Sequence, residues 1–302
     1  MDLYEETYEL TKQIPRGKVS TYGAIAIALG DKIASRAVGI MLNQNPYKEV
    51  PCYRIIHSDG RIGGYASGVE KKIELLKKDG IEIKNGRIDL KKYFFDDFKT
   101  SYPLKNLRGE QEKLRKKVIT GGDVEVNRIA GVDVSYSRKY AYGAYVEFDK
   151  NGNIVKKKIV KKKVTFPYIP THLAYRELPV LNELIEGEGP SLVMVDGNGL
   201  LHPRFFGLAC HFGVVNDIAT VGVAKKLLLG DVIKNDVFIG ERKVGKKLGK
   251  IFVSPGNKID VEKAYEITRK FMKYSIPEPI RIAHILANEA RRKSESKNFS
   301  SK

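Results

Sequence analysis

Two aspartates stand where an aspartate is costly. Asp133 interrupts the otherwise apolar run IAGVDVSY, and Asp196 ends a second such run, LVMVDGNG. A carboxylate in or at the end of a buried strand loses hydration unless it is paired or binds a cation. Two such acids on adjacent strands, with Glu177 on the intervening helix, can form an all-oxygen site for Mg2+, with Mn2+ as a substitute. A hydroxide activated there can attack a phosphodiester. Either Asp alone is equally accounted for as a strand-end acid that caps a loop or bridges to a lysine. The three together, following a strand meander, point to a metal-dependent nuclease.

A different chemistry is written at Cys52, which sits in VPCYRII between Pro51 and a short apolar strand. A lone cysteine beside apolar residues is either core filler or a nucleophile. Here Tyr53, Arg54 and His57 are polar or cationic neighbours that can favour the thiolate. Cys210, beside His211 in an apolar stretch, reads as core. With 2 cysteines in all, disulfide scaffolds and zinc fingers are excluded.

The elements that must hold these residues fall into two groups. Helical patterns cover Tyr4–Gln13, Tyr22–Leu29, Ala34–Asn43 and Val69–Lys78. The second and third form a helix-turn-helix around Gly30-Asp31, opened by a Ser20 or Thr21 cap and closed by Asn45-Pro46. Ala34, Ser35, Ala37 and Gly39 give the third helix small side chains, so it can lie close against protein or a nucleic-acid groove. Residues 96–104 lack periodicity and are expected to be a linker. A polar helix follows from about Leu107. Strands are then expected at Arg128–Tyr136, Tyr142–Phe148 and Ile154–Thr165, with a tight turn at Asn151-Gly152. A helix at Leu173–Ile185, a strand at Ser191–Val195, β/α alternation to Val223 and final helices from about Val261–Tyr274 complete the chain. The fold class is therefore two domains. A mainly α, winged-helix-like helix-turn-helix domain over 1–95 precedes an α/β RNase H-like domain with a mixed central sheet over 105–302.

Composition agrees. The 302 residues are 42% hydrophobic and 30% charged, an ordinary globular balance that excludes disorder and rods. No apolar run is long enough to span a bilayer, and the amino terminus is charged from residue 2, so a cytoplasmic monomer without a membrane partner is expected. The net charge of +18 is uneven: +3 over residues 1–100 and +15 over the rest. Such a surface attracts polyanions, or serves solubility alone.

Gly17–Gly80 resembles the active-site domain of O6-alkylguanine-DNA alkyltransferases. The resemblance rests on Pro51-Cys52-Tyr53-Arg54, Arg36-Ala37-Val38-Gly39 and Tyr65-Ala66-Ser67-Gly68. It implies that Cys52 takes an alkyl group irreversibly from O6-alkylguanine in DNA. Arg36 fills the space of the flipped base, Tyr22 helps rotate the nucleotide, Asn45 braces the cysteine loop and Tyr65 closes the pocket. Tyr53 stands where the family has His, Asp79 where it has Glu, and Ser67 where it has Gly. Without the imidazole, lowering the thiol pKa falls to Arg54, His57, a helix amino terminus or a phenol. A domain that binds alkylated DNA without repairing it is the alternative.

The remainder, from about Leu107 to Asn288, resembles endonuclease V. The matching stretches include IAGVDVS, FPYIP, Tyr175-Arg176-Glu177, VDGNGLLHPR, VGVAKK, FVSPG and PEPIRIAH. The resemblance implies Mg2+ on Asp133, Glu177 and Asp196, with His284 near a second metal position or the attacking water. It implies that Lys225 stabilises phosphate charge, His202 holds the scissile strand and Tyr168 wedges into the stack. Gly197 and Gly199 are expected to let backbone amides approach the hypoxanthine. Thr171 follows the wedge where the family often has Gly, and Asn198 replaces a frequent His or Gln. The chain thus resembles a fusion of alkyltransferase and endonuclease V. The expected reaction is cleavage of the second phosphodiester 3′ to deoxyinosine, with inosine-containing RNA as the alternative substrate.

Overall fold

Asp2 starts the first helix, α1 (Leu3–Lys12), by accepting from the Tyr4 amide at 3.0 Å. The computed structural model describes residues 1–122 and 124–299. They form two units, one of Met1–Gly109 with Thr165–Pro170, the other of Glu110–Val164 with Thr171 onward.

In the first unit, β1 (Ser20–Thr21) leads directly into α2 (Tyr22–Leu29), whose Ala24 amide donates to the Thr21 hydroxyl at 3.1 Å. The helix ends at Gly30, where φ is 105° and a side chain would meet the Lys105 amide at 2.6 Å, so glycine is required twice over. Asp31 then caps a short 3-10 turn, which delays α3 (Ser35–Asn43) by one residue relative to the expected start. Ala37, Val38, Met41 and Leu42 form the buried side of α3, while Ile33, Arg36 and Ile40 remain exposed. Strand β2 (Ile55–Ile56) pairs parallel with β1 and so fixes the cysteine turn beside the helix-turn-helix. α4 (Val69–Lys78), α5 (Leu90–Tyr93) and α6 (Pro103–Arg115) follow. α6 starts earlier than its polar pattern suggested, because Pro103 suits the first helical position. Val19, Ile56, Ile62, Leu76, Ile81 and Ile88 form the apolar centre beneath the cysteine turn.

The second unit opens with the expected meander of β3 (Arg128–Tyr136), β4 (Tyr140–Asp149) and β5 (Ile154–Lys163). α7 (Leu173–Ile185), β6 (Leu192–Asp196), α8 (Leu208–Val215) and β7 (Thr220–Ala224) follow. Then come β8 (Asp231–Ile233), β9 (Asp236–Ile239), β10 (Arg242–Leu248) and β11 (Ile251–Asn257), and finally α9 (Val261–Lys270) and α10 (Glu278–Phe299). The nine strands lie in the order β5-β4-β3-β6-β7-β11-β10-β9-β8. β3, β6 and β7 are parallel and the outer pairs antiparallel, which makes the sheet mixed. The four strands from Asp231 to Asn257 lie beyond the alternation read from the sequence.

Helices cover both faces, and two glycines mark the closest approaches. A side chain at Gly131 would meet the Pro279 carbonyl at 2.2 Å, so β3 admits the start of α10 only with glycine there. A side chain at Gly143 would meet Val180 at 2.3 Å on α7. Because side chains alternate along a strand, Asp133 shares the face of Gly131 and points to α10, whereas Val132 enters the core under α7.

Candidate active sites

The register of the parallel strands explains how two distant aspartates meet. Val132 of β3 pairs with Val195 of β6, so the next residues, Asp133 and Asp196, emerge side by side. Ligand atoms of Asp133, Asp196 and His284 all lie within 4.8 Å of one another. His284 reaches in from α10, its Nδ1 being 2.7 Å from Asp133 Oδ2. Lys225, directly after β7, places Nζ 2.8 Å from Asp196 Oδ2.

The electrostatics of this cluster are strained in one direction. Burial first, and then the charge of Asp196, push the Asp133 carboxyl above its ordinary range, while His284 pulls it down. Burial also pushes Glu177 well above its ordinary range, with the charges of Asp133 and Asp196 adding to it and Arg176 opposing. Lys225 is raised: burial works against its charge, but the bond to Asp196 outweighs it. Three carboxylates that repel one another in a shielded place form a donor set that fits a divalent cation, which removes the repulsion. The structure brings Asp133 and Asp196 together as expected and adds His284 to them. Glu177 is felt by both aspartates but lies outside that close group.

Behind His284 is a chain of hydrogen bonds the sequence reading did not contain. Asn288 Nδ2 lies 3.1 Å from His284 Nε2, and Asn288 Oδ1 accepts from Ser135 Oγ at 2.9 Å. Ser135 Oγ in turn accepts from Arg291 Nε at 3.0 Å. The spacing of His284, Asn288 and Arg291, four and then three residues apart on one helix, was the available signal.

The other expected residues are placed as follows. His202 is nearly buried, and burial with Arg204 and His172 lowers its pKa to about 3, so it is a neutral imidazole whose Nδ1 accepts the Arg204 amide. The Gly197 amide donates to Val223 O at 3.0 Å and the Gly199 amide to Ser254 Oγ at 2.8 Å. Both amides are therefore engaged inside the fold. What demands glycine at 199 is packing, since a side chain would meet Pro255 O at 2.1 Å. Tyr168 belongs to the segment that groups with the first unit and is 59% exposed. Thr171 has φ of 67°, a left-handed conformation that β-branched residues rarely adopt.

In the first unit, a cavity of about 390 Å3 is lined by Tyr22, Gly39, Leu42, Cys52, Gly64 and Tyr65, among others. Cys52 opens a 3-10 turn after Pro51 and is partly buried. Asn45 Nδ2 donates to Cys52 Sγ at 3.3 Å and to Tyr47 O at 2.7 Å, tying the end of α3 to the cysteine turn. Tyr22 contacts His57 with ring centroids 5.6 Å apart, and Arg36 is exposed on α3.

The groups named from sequence to activate the thiol are turned elsewhere. Tyr53 Oη donates to Asp79 Oδ2 at 3.0 Å, and Arg54 donates to the same oxygen at 2.7 Å and to Ile14 O at 2.8 Å. Burial pushes the Cys52 thiol up, and the Asn45 bond and the charge of Lys72 pull it down. Lys72 is a residue the sequence reading missed. Its signal was a lysine among Val69, Ile73 and Leu76 on the apolar face of an expected helix.

Comparison with known proteins places both units. Residues 112–285 match the endonuclease V family, and residues 2–81 match the DNA-binding domain of 6-O-methylguanine DNA methyltransferase. The chain is 44% identical over 286 residues to the bifunctional methyltransferase/endonuclease of Picrophilus torridus, covering 94% of this chain and 95% of that one. It is 34% identical over 278 residues to the bifunctional methyltransferase-like/endonuclease of Nanoarchaeum equitans, covering 91% and 87%. The crystal structure of Ciona intestinalis endonuclease V in complex with a 24-mer DNA containing an inosine followed by a ribo-adenosine superposes with a TM-score of 0.57. That match is 28% identical and covers 63% of this chain and 98% of that one. No helix among the described residues is long and apolar enough to cross a membrane. With more than half of its length matched to one family and nearly all of it to a two-part relative, the chain belongs to the endonuclease V family and, within it, to the bifunctional methyltransferase/endonucleases.

Proposed function

We propose that the chain repairs two kinds of DNA damage, one in each unit. The second unit hydrolyses the second phosphodiester 3′ to a deoxyinosine, leaving 3′-hydroxyl and 5′-phosphate ends. The observation that carries this reading is the convergence of Asp133, Asp196 and His284, with Lys225 bonded to Asp196. Mg2+, or Mn2+ in its place, held by Asp133 and Asp196 with Glu177 behind them, neutralises charge at the scissile phosphate. Lys225, released from Asp196 as the cation arrives, adds a positive charge to the same phosphate. His284 is held by Asp133 and is placed to orient the attacking water. The exposed Tyr168 ring suits a wedge that replaces the departed base in the stack. Asp133→Ala or Asp196→Ala is expected to abolish nicking of a deoxyinosine duplex while leaving its binding largely intact. Unchanged nicking refutes the site. The same duplex with ribose on the 3′ side of the lesion tests the RNA alternative.

In the first unit, Cys52 accepts the alkyl group of O6-alkylguanine. The thiolate forms the S–C bond as the C–O6 bond breaks, and the bonding pair stays on O6. The guanine then takes up one proton, replacing the one the thiol gave to water. Tyr22 and Tyr65 line the space for the flipped base, and Arg36 stands exposed on the helix that faces the gap it leaves. Binding of the lesion without transfer is the second reading, favoured by a thiol that burial holds above its ordinary pKa. Radiolabelled methyl transfer from O6-methylguanine DNA, with Cys52→Ala beside it, separates the two. Stoichiometric label lost in the variant supports transfer, and tight binding without label supports the sensor.

A further inference from the structure

A lysine with no exposed surface lies under the cysteine turn. Lys72 sits on the buried side of α4 beside Leu76, and both have a relative exposure of 0%. Removing an ammonium from water costs several kcal/mol unless its hydrogens find acceptors. Lys72 Nζ donates to Ile55 O at 2.5 Å and to Gly64 O at 3.2 Å. Ile55 immediately follows the turn that carries Cys52, and Gly64 lines the cavity that Cys52 opens into. One ammonium thus ties the nucleophile's turn to the opposite wall of its pocket.

Lys72 and Cys52 act on each other. Burial lowers the Lys72 pKa to about 8 and the cysteine's charge opposes that, while the lysine's charge lowers the thiol against its own burial. The other groups around the thiol do not supply a cation. Asn45 is neutral, and Tyr8 and Tyr22 are phenols that burial pushes above their ordinary range. Tyr53 and Arg54 are committed to Asp79, and His57 packs against the Tyr22 ring.

We propose that Lys72 is the positioning residue of the alkyl-transfer site, clamping the Cys52 turn to the Gly64–Tyr65 wall and furnishing the positive charge against which the thiolate forms. The inference rests on the reading of the first unit as an alkyltransferase. The thiol proton passes to solvent and Lys72 keeps its own, so the reactive form is the thiolate–ammonium pair. Such a pair titrates as a unit rather than as two independent groups.

The test is the pH profile of Cys52 alkylation by iodoacetamide in the full chain, read by mass spectrometry at the Cys52 peptide. In Lys72→Met the rate at pH 7 is expected to fall about tenfold or more, with the midpoint moving up accordingly, the usual effect of losing a nearby opposite charge. Lys72→Gln keeps hydrogen-bond donors without the charge and is expected to behave like Met, whereas Lys72→Arg restores the midpoint. Gln and Met variants that fold and keep the wild-type midpoint overturn the proposal. Should these variants not fold, 13C-labelled lysine in the otherwise wild-type protein and in Cys52→Ala gives a second reading. The Lys72 midpoint is expected to drop when the thiol is removed, and an unchanged midpoint overturns the coupling. Methyl transfer from O6-methylguanine DNA by the wild-type protein is measured alongside. No transfer there overturns the alkyltransferase reading itself. Transfer accompanied by an unmoved midpoint in the variants overturns only the role of Lys72.

Discussion

Replacing Asn288 is the sharpest probe of the nuclease site, because two substitutions predict different losses. Asn288 Oδ1 accepts from Ser135 Oγ at 2.9 Å, which fixes the amide orientation and turns Nδ2 toward His284 Nε2 at 3.1 Å. Nε2 is therefore an acceptor, and the ring proton sits on Nδ1, donating to Asp133 Oδ2 at 2.7 Å. Asn288→Ala removes the donor but leaves that bond in place, so the imidazole is free to turn. Loss of such an outer partner typically costs about 10–100-fold in activity, and the lower end is expected here because one bond of about 0.5–1.5 kcal/mol is lost. Asn288→Asp does more. A carboxylate must receive a proton from Nε2, which leaves Nδ1 bare against the Asp133 carboxylate, or else forces the ring to carry both protons. A loss on the order of 100-fold is expected, at the upper end of that range. Single-turnover nicking of a deoxyinosine duplex at saturating divalent cation measures both, and thermal melting checks that the exposed helix position leaves the fold intact. Asp and Ala variants that nick at the wild-type rate refute the reasoning, and an Asp variant faster than the Ala variant refutes the tautomer.

Acid is expected to weaken the second unit early. Burial lowers His202 to about 3 and His211 to about 4, so both are neutral when folded and bind protons near 6.5 only when unfolded. Stability therefore falls as pH drops from about 6.5 towards 4, by up to about 1.4 kcal/mol per pH unit for each histidine. Urea midpoints at pH 7 and pH 5 check this, and His211→Leu should flatten the slope. Thr171→Gly is expected to raise stability by about 1 kcal/mol, since it releases the strain at φ of 67° and spends part of the gain on chain entropy. Arg204 bonds the Thr171 carbonyl, which glycine keeps, so a destabilised variant contradicts the strain argument. Tyr168→Ala is expected to lower the preference for deoxyinosine over undamaged duplex by about 1–3 kcal/mol, the usual stacking contribution. Equal preference in competition binding places the specificity elsewhere.

Much of the positioning frame is legible as periodicity. The helices at Tyr22–Leu29, Val69–Lys78 and Leu173–Ile185 and the strand Arg128–Tyr136 stand where their patterns put them, because each buries one face against a neighbour close in sequence. The strands from Asp231 to Asn257 were missed for the opposite reason. They are short, rich in lysine and glycine, and their alternation is weak. Only pairing to β7 through β11 makes them a sheet.

The sites divide along the same line. A costly residue is visible in sequence, since Asp133 in an apolar strand and Cys52 behind a proline both stand out against their neighbours. The partner that offsets the cost is not visible, because it arrives from another element. His284 reaches Asp133 across 151 residues, and Asn288 is meaningful only once α10 lies on β3 over Gly131. Lys72 shows the limit from the other side. Its place on the apolar face of α4 was open to inspection, yet a lone lysine there reads as a solvated charge until burial puts its ammonium on Ile55 and Gly64. The substitution of Tyr53 for the family's histidine had suggested that the thiol's help must come from the adjacent residues. Asp79 binds both Tyr53 and Arg54, which leaves the thiol to a charge 20 residues away in sequence but on the other side of the same turn. A motif that loses one residue is therefore better searched for compensation among the buried charges of the packed helix than along the motif itself.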